Sequence, residues 1–263
     1  MATPKALFFD IDGTLVSFKT HVIPDSTRKA LLAARAKGIK TFTASGRPLQ
    51  LLNNLGSMID GLFDGYVLAS GANCILDGKT VRKDLIPREE VLALMRFCDE
   101  RNIPYVLVGL QDLQYCNVDD NMRRVWMDML KVTYNKFNVP AMEVVDQGIL
   151  QLTPFLTEEQ ESIILPELKT CISSRWYPAF CDITSKAANK ANGIRAIAEA
   201  MGIGIEETMA FGDGGNDIPM LEAAGISVAM GNALDEVKAK ADYVTTSVDD
   251  DGIWNALQHY GVI

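Results

Sequence analysis

The sequence predicts an α/β fold, a parallel sheet flanked by helices and interrupted by an inserted second domain. Two observations predict it. Apolar strand-like runs alternate with amphipathic helix-like runs over the first third of the chain, and the same alternation returns after about residue 187. Between about residues 83 and 186, strands and helices follow one another without that rhythm. Strand–helix–strand alternation gives parallel neighbours joined by right-handed crossovers. Residues 1–82 and 187–263 are therefore expected to form one core, and 83–186 a separate α/β module.

Leu7 to Phe9 read as the end of a buried strand, because the run is continuously apolar. Pro24 to Lys37 reads as a helix, with Asp25 or Ser26 as cap and Gly38 as terminator. Ile39 to Ala44 is a second strand, closed by Ser45-Gly46-Arg47-Pro48, and Leu49 to Met58 carries helical spacing. Gly65 to Ala69 is a third strand. Asn73 to Leu76 and Lys79 to Arg82 form a hairpin about the Asp77-Gly78 turn.

In the middle segment Pro87 to Arg101 is an amphipathic helix, with Val91, Leu94, Met95 and Cys98 on its apolar face. Strands are expected at Tyr105–Gly109, Gln114–Asn117, Ile149–Thr153, Thr170–Arg175 and Ala179–Ile183. Asp119 to Leu130 reads as a helix, Asn135 to Gln147 is ambiguous, and Thr157 opens a helix with a capping box to Gln160. After it come a helix at Lys190–Met201, a strand at Thr208–Phe211, and a helix at Ile218–Ala224. A strand at Ile226–Ala229, a helix at Ala233–Ala241, a strand at Tyr243–Thr245 and a helix at Ile253–Tyr260 complete the chain.

Composition excludes several classes. Hydrophobic content of 48% supports a real core in a chain of 263 residues, and the formal net charge of −9 argues against a nucleic-acid binder or an anionic membrane surface. No apolar run reaches membrane-spanning length. Five scattered cysteines without a CxxC pair support neither a disulfide framework nor a zinc site, which fits a reduced, cytoplasmic protein. His21 and His259 offer little material for a histidine-based site. No protein partner is implied.

Chemistry concentrates where apolar strands end. Asp10 and Asp12 follow the first strand with Gly13 and Thr14. In extended chain, residues i and i+2 share a side, so both carboxylates can reach one site at the sheet's carboxyl edge. Two carboxylates so close repel unless a cation or a shared proton relieves them. Mg²⁺, a hard ion with oxygen ligands, is the natural relief. One carboxylate can then attack while the other handles protons. Asp213 ends a later strand, in Gly212-Asp213-Gly214-Gly215-Asn216-Asp217. Asp10, Asp213 and the carbonyl of Asp12 suit one Mg²⁺ completed by water and a phosphate oxygen. The Ser45 hydroxyl and the Gly46 N–H can donate to a phosphate. Lys190 supplies a point charge, and Asp217 can hold it in place.

These residues give the chain its resemblance. Phe8-Phe9-Asp10-Ile11-Asp12-Gly13-Thr14-Leu15, Ala44-Ser45-Gly46-Arg47-Pro48, Lys190, and Gly212 through Leu221 together resemble a haloacid dehalogenase superfamily phosphatase of the Cof type. The resemblance runs essentially end to end. It implies a Rossmann-like core with an inserted α/β cap of type IIB that carries substrate specificity. It implies Asp10 as the nucleophile that becomes an aspartyl phosphate, and Asp12 as general acid and then base. Ser45, Gly46, Lys190 and Asn216 would bind phosphate, Asp10, Asp12 and Asp213 would hold Mg²⁺, and Asp217 would support the site. Three positions depart from the pattern: Ser45 for Thr, Ser70 before Gly71-Ala72 for Asn, and Ala191 for Gly.

The resemblance implies a small phosphorylated metabolite as substrate, chiefly a sugar phosphate such as a hexose phosphate. Arg175-Trp176-Tyr177 offers a planar cation and two rings with polar handles, which suit a polyol, although packing inside the cap explains the two rings equally well. Arg47 stands next to the phosphate-binding positions. Competing readings are a phosphatase for a nucleotide or pyridoxal phosphate, a phosphomutase, and a phosphate-ligand sensor without turnover.

Overall fold

The structure, a computed structural model, describes residues 3–129 and 139–263, with no account of the side chains at 53 and 54. The strands in chain order are β1 (Ala6–Phe9), β2 (Lys40–Ala44), β3 (Gly65–Leu68), β4 (Asn73–Leu76) and β5 (Lys79–Lys83), then β6 (Tyr105–Gly109), β7 (Leu113–Cys116), β8 (Ile149–Pro154), β9 (Cys171–Tyr177) and β10 (Phe180–Ser185), and finally β11 (Thr208–Gly212), β12 (Ile226–Ala229) and β13 (Tyr243–Val244). Two compact units result. One holds Met1–Gly46, Leu55–Arg82 and Asn189–Ile263; the other holds Arg47–Asn54 and Lys83–Ala188.

The first unit is built on an eight-stranded sheet in the order β13-β12-β11-β1-β2-β3-β4-β5. It is parallel from β13 through β3, and β4 turns back antiparallel to β3. From β1 the chain steps outward to β2 and β3, and later fills the other side with β11, β12 and β13. The β1–β11 junction is thus a topological switch point, where the carboxyl ends of strands leave a crevice. Register places Phe9 beside Phe211, so Asp10 and Gly212-Asp213 leave the sheet side by side. Strand β1 is fully buried. Its two rings stack on opposite neighbours, Phe8 on Phe42 at 4.9 Å and Phe9 on Phe211 at 4.7 Å.

Close approach of backbone fixes the helix that carries Lys190. A Cβ at Gly71 (φ +99°) would lie 2.2 Å from the Asn189 carbonyl oxygen, and one at Gly193 2.3 Å from Val67 Cγ1. Only glycine lets helix Lys190–Met201 sit this near β3 and the turn after it. Asn189 caps that helix by accepting the Asn192 N–H at 2.8 Å, and Gly202 ends it in the left-handed conformation.

The second unit is a five-stranded antiparallel sheet, β7-β6-β8-β10-β9. Leu94, Leu107, Leu152, Phe180 and Ile183 lie in its core, and Trp126 meets Phe180 edge-on at 5.1 Å. The capping box at Thr157–Gln160 is present on helix Glu158–Ile164.

Several elements differ from expectation. The 49–58 segment is 3₁₀-helical rather than α-helical and breaks at Gly56 (φ 49°, ψ −139°). Its first part goes with the second unit, not the core to which the sequence assigned it. Leu51 packs against that unit's apolar cluster, and Gln50 Nε2 donates to the Gly109 carbonyl at 2.9 Å. The second unit also runs two residues further, to Ala188. No side chain of Asp25 or Ser26 caps the first helix; Pro24 holds the cap position, and Asp25 in the first turn complements the helix dipole. Asp120–Met122 is α-helical and Arg123–Met129 continues it with wider π turns, while Leu130 and residues 131–138 fall outside the described residues. The helix expected over Ala233–Ala241 contracts to Asp235–Lys238.

Candidate active site

The sharp exit from β1 comes from Gly13 (φ +91°), where a Cβ would lie 2.2 Å from Asp213 Oδ2. Any side chain there would be strained and would strike a carboxylate from the neighbouring strand. The turn is closed by the Leu15 N–H donating to the Ile11 carbonyl at 3.0 Å and the Val16 N–H to the same carbonyl at 2.8 Å.

Lys190, with 2% of its surface exposed, is the hub. Its Nζ donates to Asp10 Oδ1 at 2.6 Å and to Asp217 Oδ1 at 2.5 Å. Asp217 Oδ2 accepts the backbone N–H groups of Asp213 and Gly214, each at 3.0 Å. Asp217 therefore holds the lysine with one oxygen and folds the 213–217 turn with the other. Asp213 Oδ1 accepts the Thr14 hydroxyl at 2.8 Å.

Carboxylate oxygens of Asp10, Asp213 and Asp217 lie within 4.8 Å of one another. Burial and the charge of Asp217 push Asp10 up to about 8, against the pull of Lys190. Burial raises Asp213 to about 6, against the Thr14 hydrogen bond, with Asp217 and Asp12 adding repulsion. Burial alone would lower Lys190; Asp10 and Asp217 outweigh it and hold the amine charged, above its ordinary value. One lysine leaves this group of carboxylates with excess negative charge. A hard divalent cation fits that excess, with Asp10 and Asp213 as available oxygen donors. Asp217 is already engaged by three donors. Asp12 enters through its charge on Asp213, and its carboxylate lies outside the close cluster.

The other expected residues are placed as follows. Ser45 follows β2, 3% exposed, its N–H donating to the Val67 carbonyl at 2.8 Å and its carbonyl accepting the Ser70 N–H at 3.0 Å. Gly46 and Arg47 follow, both partly exposed. Asn216 sits exposed in the 3₁₀ turn Gly215–Asp217. Arg175 is committed to holding its own unit together. It donates to Glu161 from Nε at 3.2 Å and Nη2 at 2.5 Å, and to the Leu156, Pro178 and Phe180 carbonyls at 3.0, 3.0 and 3.3 Å. All five of its N–H groups are thus engaged within the second unit. Tyr177 stacks on Phe180 at 5.5 Å. Trp176 is 59% exposed, with its Nε1 donating to Asp182 Oδ2 at 2.8 Å.

Sequence reasoning gave no role to two residues of this site, Asn232 and Thr14, nor to Asp182 in the second unit. Asn232 Nδ2 donates to the Gly13 carbonyl at 2.8 Å and reaches Asp213 Oδ2 at 3.5 Å, while its Oδ1 accepts the Val248 N–H at 2.9 Å. It ties the Asp10–Gly13 turn to the Asp213 loop. Thr14 orients Asp213. Asp182 accepts from Thr153 Oγ1 at 2.6 Å and Gln151 Nε2 at 2.8 Å besides Trp176. Asn232 had a signal, since it follows strand β12 at the same carboxyl edge as the aspartates.

Known proteins resemble this chain in sequence and fold. The family described as haloacid dehalogenase-like hydrolase matches residues 7–257. YkrA of Bacillus subtilis (strain 168), named as a candidate phosphatase, is 31% identical over 261 residues, 98% of each chain. The 5-amino-6-(5-phospho-D-ribitylamino)uracil phosphatase YcsE of the same organism is 26% identical, over 97% of this chain and 95% of its own. The solved structure of BT4131, a sugar phosphatase of subclass IIB, is 48% identical with a TM-score of 0.86, over 98% of this chain and 100% of its own. A sheet with its carboxylates at the switch point, matched over nearly the whole length by proteins of one superfamily, leaves one assignment: this chain belongs to the haloacid dehalogenase-like hydrolases and is a phosphatase.

Proposed function

We propose that this phosphatase hydrolyses small phosphate monoesters, chiefly sugar phosphates, with Mg²⁺ and through an aspartyl phosphate on Asp10. The observation that carries the reading is buried Lys190 held between Asp10 and Asp217, beside Asp213, at the switch point of the sheet. Lys190 supplies fixed positive charge for the phosphate and lines up Asp10 by its hydrogen bond. Asp10 attacks phosphorus as a carboxylate. Asp12 protonates the departing alcohol, then takes a proton from the water that cleaves the aspartyl phosphate. Ser45, the Gly46 N–H and Asn216 complete the phosphate cradle. Bound Mg²⁺, held by Asp10, Asp213 and the Asp12 carbonyl, would offset carboxylate repulsion and draw charge from the transferring phosphoryl group.

On the second unit, exposed Trp176 and the Asp182–Gln151–Thr153 group are the part suited to a polyol, with a flat ring beside fixed polar atoms. Five free thiols fit a reducing compartment such as the cytoplasm; among the described residues no helix is long and apolar enough to cross a membrane.

The test is phosphate release from a panel of hexose phosphates, a phosphoribitylamino-uracil, nucleotides and pyridoxal phosphate, with Mg²⁺ and with excess EDTA. The polyol–base ester belongs in the panel because YcsE is named for it. The reading expects the highest kcat/KM on a sugar phosphate and loss of activity in EDTA, restored by Mg²⁺. Full activity in EDTA would overturn the metal role. Isomerisation without phosphate release would show a phosphomutase, and binding without turnover a sensor.

A further inference from the structure

We infer that Phe18 recognises the carbon skeleton of the substrate, its ring standing at the mouth of the phosphate site; the inference rests on the phosphatase reading above and deepens it. The position where Gly13 would carry a Cβ lies 2.2 Å from Asp213 Oδ2 and 2.7 Å from Phe18 Cε2. The ring edge and the carboxylate thus flank one point, separated by no more than those two distances end to end. Phe18 is 63% exposed and Asp213 is 8% exposed, so the ring stands on the solvent side of the carboxylate. Gly13 makes room for both.

An exposed apolar residue by itself means little. This one is presented on a braced turn. The Ser17 N–H donates to the Val22 carbonyl at 3.2 Å and the His21 N–H to the Ser17 carbonyl at 2.9 Å. The Ser17 hydroxyl donates to Asp249 Oδ1 at 2.6 Å, and Lys19 pairs with Asp249 Oδ2 at 2.9 Å. The turn is fixed on both sides of Phe18, yet the ring is left largely in water beside the charged site. A phenyl ring has no hydrogen-bonding atom. Beside an anionic site, the partner that suits it is carbon–hydrogen surface, which a cyclic sugar offers on its face and which a phosphate lacks. Asp10, Lys190 and Asp213 serve the phosphoryl group; Phe18 serves what is attached to it. The substrate class that follows is a phosphate ester whose alcohol carries a broad carbon–hydrogen face.

The experiment compares Phe18→Ala with the unaltered chain, with saturating Mg²⁺, on the best sugar phosphate from the panel and on acetyl phosphate. The ratio of kcat/KM between the two esters is expected to fall about tenfold, through KM of the sugar phosphate, the scale of a lost apolar contact in a binding site. Phe18→Trp is expected to restore most of the ratio. Inhibition by inorganic phosphate is expected to match that of the unaltered chain. A parallel fall on both esters, a raised Mg²⁺ requirement, or an unchanged ratio would each overturn the inference, the first two by showing that the ring orders the Asp10–Gly13 turn. An unaltered chain that releases phosphate from no ester would overturn the phosphatase reading and this inference with it. Turnover with an indifferent Phe18→Ala overturns the inference alone.

Discussion

Lys190 is the first residue of its helix, where the helix dipole disfavours a cation. Burial disfavours it further. Two carboxylates hold it there, and the outcome is a fixed amine at a strand edge crowded with negative charge. Asn232 is the residue that sets how that edge fits together. Removing it cuts the hydrogen bond that ties Gly13 to the Asp213 loop. Asn232→Ala is expected to raise the Mg²⁺ concentration for half-maximal activity at least tenfold, as for other residues that orient metal ligands, with most of kcat kept at saturating Mg²⁺. A Mg²⁺ titration of activity reads this directly; an unchanged midpoint would show that Thr14 alone orients Asp213. The aspartates and Lys190 were legible because each follows or opens an element that periodicity defines. Asn232 had only its place after β12 as a signal, and an asparagine there reads as an ordinary turn residue. The engagement of Arg175 was not legible either, because carbonyl acceptors leave no mark in sequence.

At the scale of elements, β2 is anchored at its start by Asp64, which precedes β3. Asp64 accepts the Thr41 N–H at 3.0 Å and Lys40 Nζ at 2.9 Å, and Arg35 donates to it from the first helix. Burial would raise this carboxyl; the Thr41 N–H, Lys40 and Arg35 together hold it below its ordinary value. A group with a lowered folded value contributes stability above its unfolded value and loses it as pH falls through the folded one. Asp64→Asn is therefore expected to cost about 1–3 kcal/mol at pH 7, with the gap narrowing below about pH 4. Urea unfolding of both proteins at several pH values measures it, and a gap independent of pH would exclude the carboxylate's charge as the cause. Most strands were readable from apolar runs that end in glycine or polar residues. The 49–58 segment was misread because α and 3₁₀ turns share similar apolar spacing over so short a run. The break at Gly56 needs a backbone angle that spacing does not encode.

For the whole molecule, a chain of net charge −9 acts on an anion. The resolution is local: Lys190 and the N–H groups at strand ends, with the Mg²⁺ proposed above, would outweigh the distant surface charge, which salt screens within about 10 Å. The parallel order of the first unit was legible from the strand–helix alternation. The assignment of Arg47–Asn54 to the second unit was not, because it depends on Gln50 and Leu51 meeting residues far along the chain. The account centres on Asp10 as the atom donor that forms the new bond. The most direct test is acid quench of a single turnover with a sugar phosphate labelled in its phosphoryl group, followed by peptide mapping. The account predicts label on the peptide that contains Asp10, decaying as inorganic phosphate appears, and neither label nor turnover in Asp10→Asn. Turnover at the normal rate by Asp10→Asn, or label mapping to another residue, would contradict it.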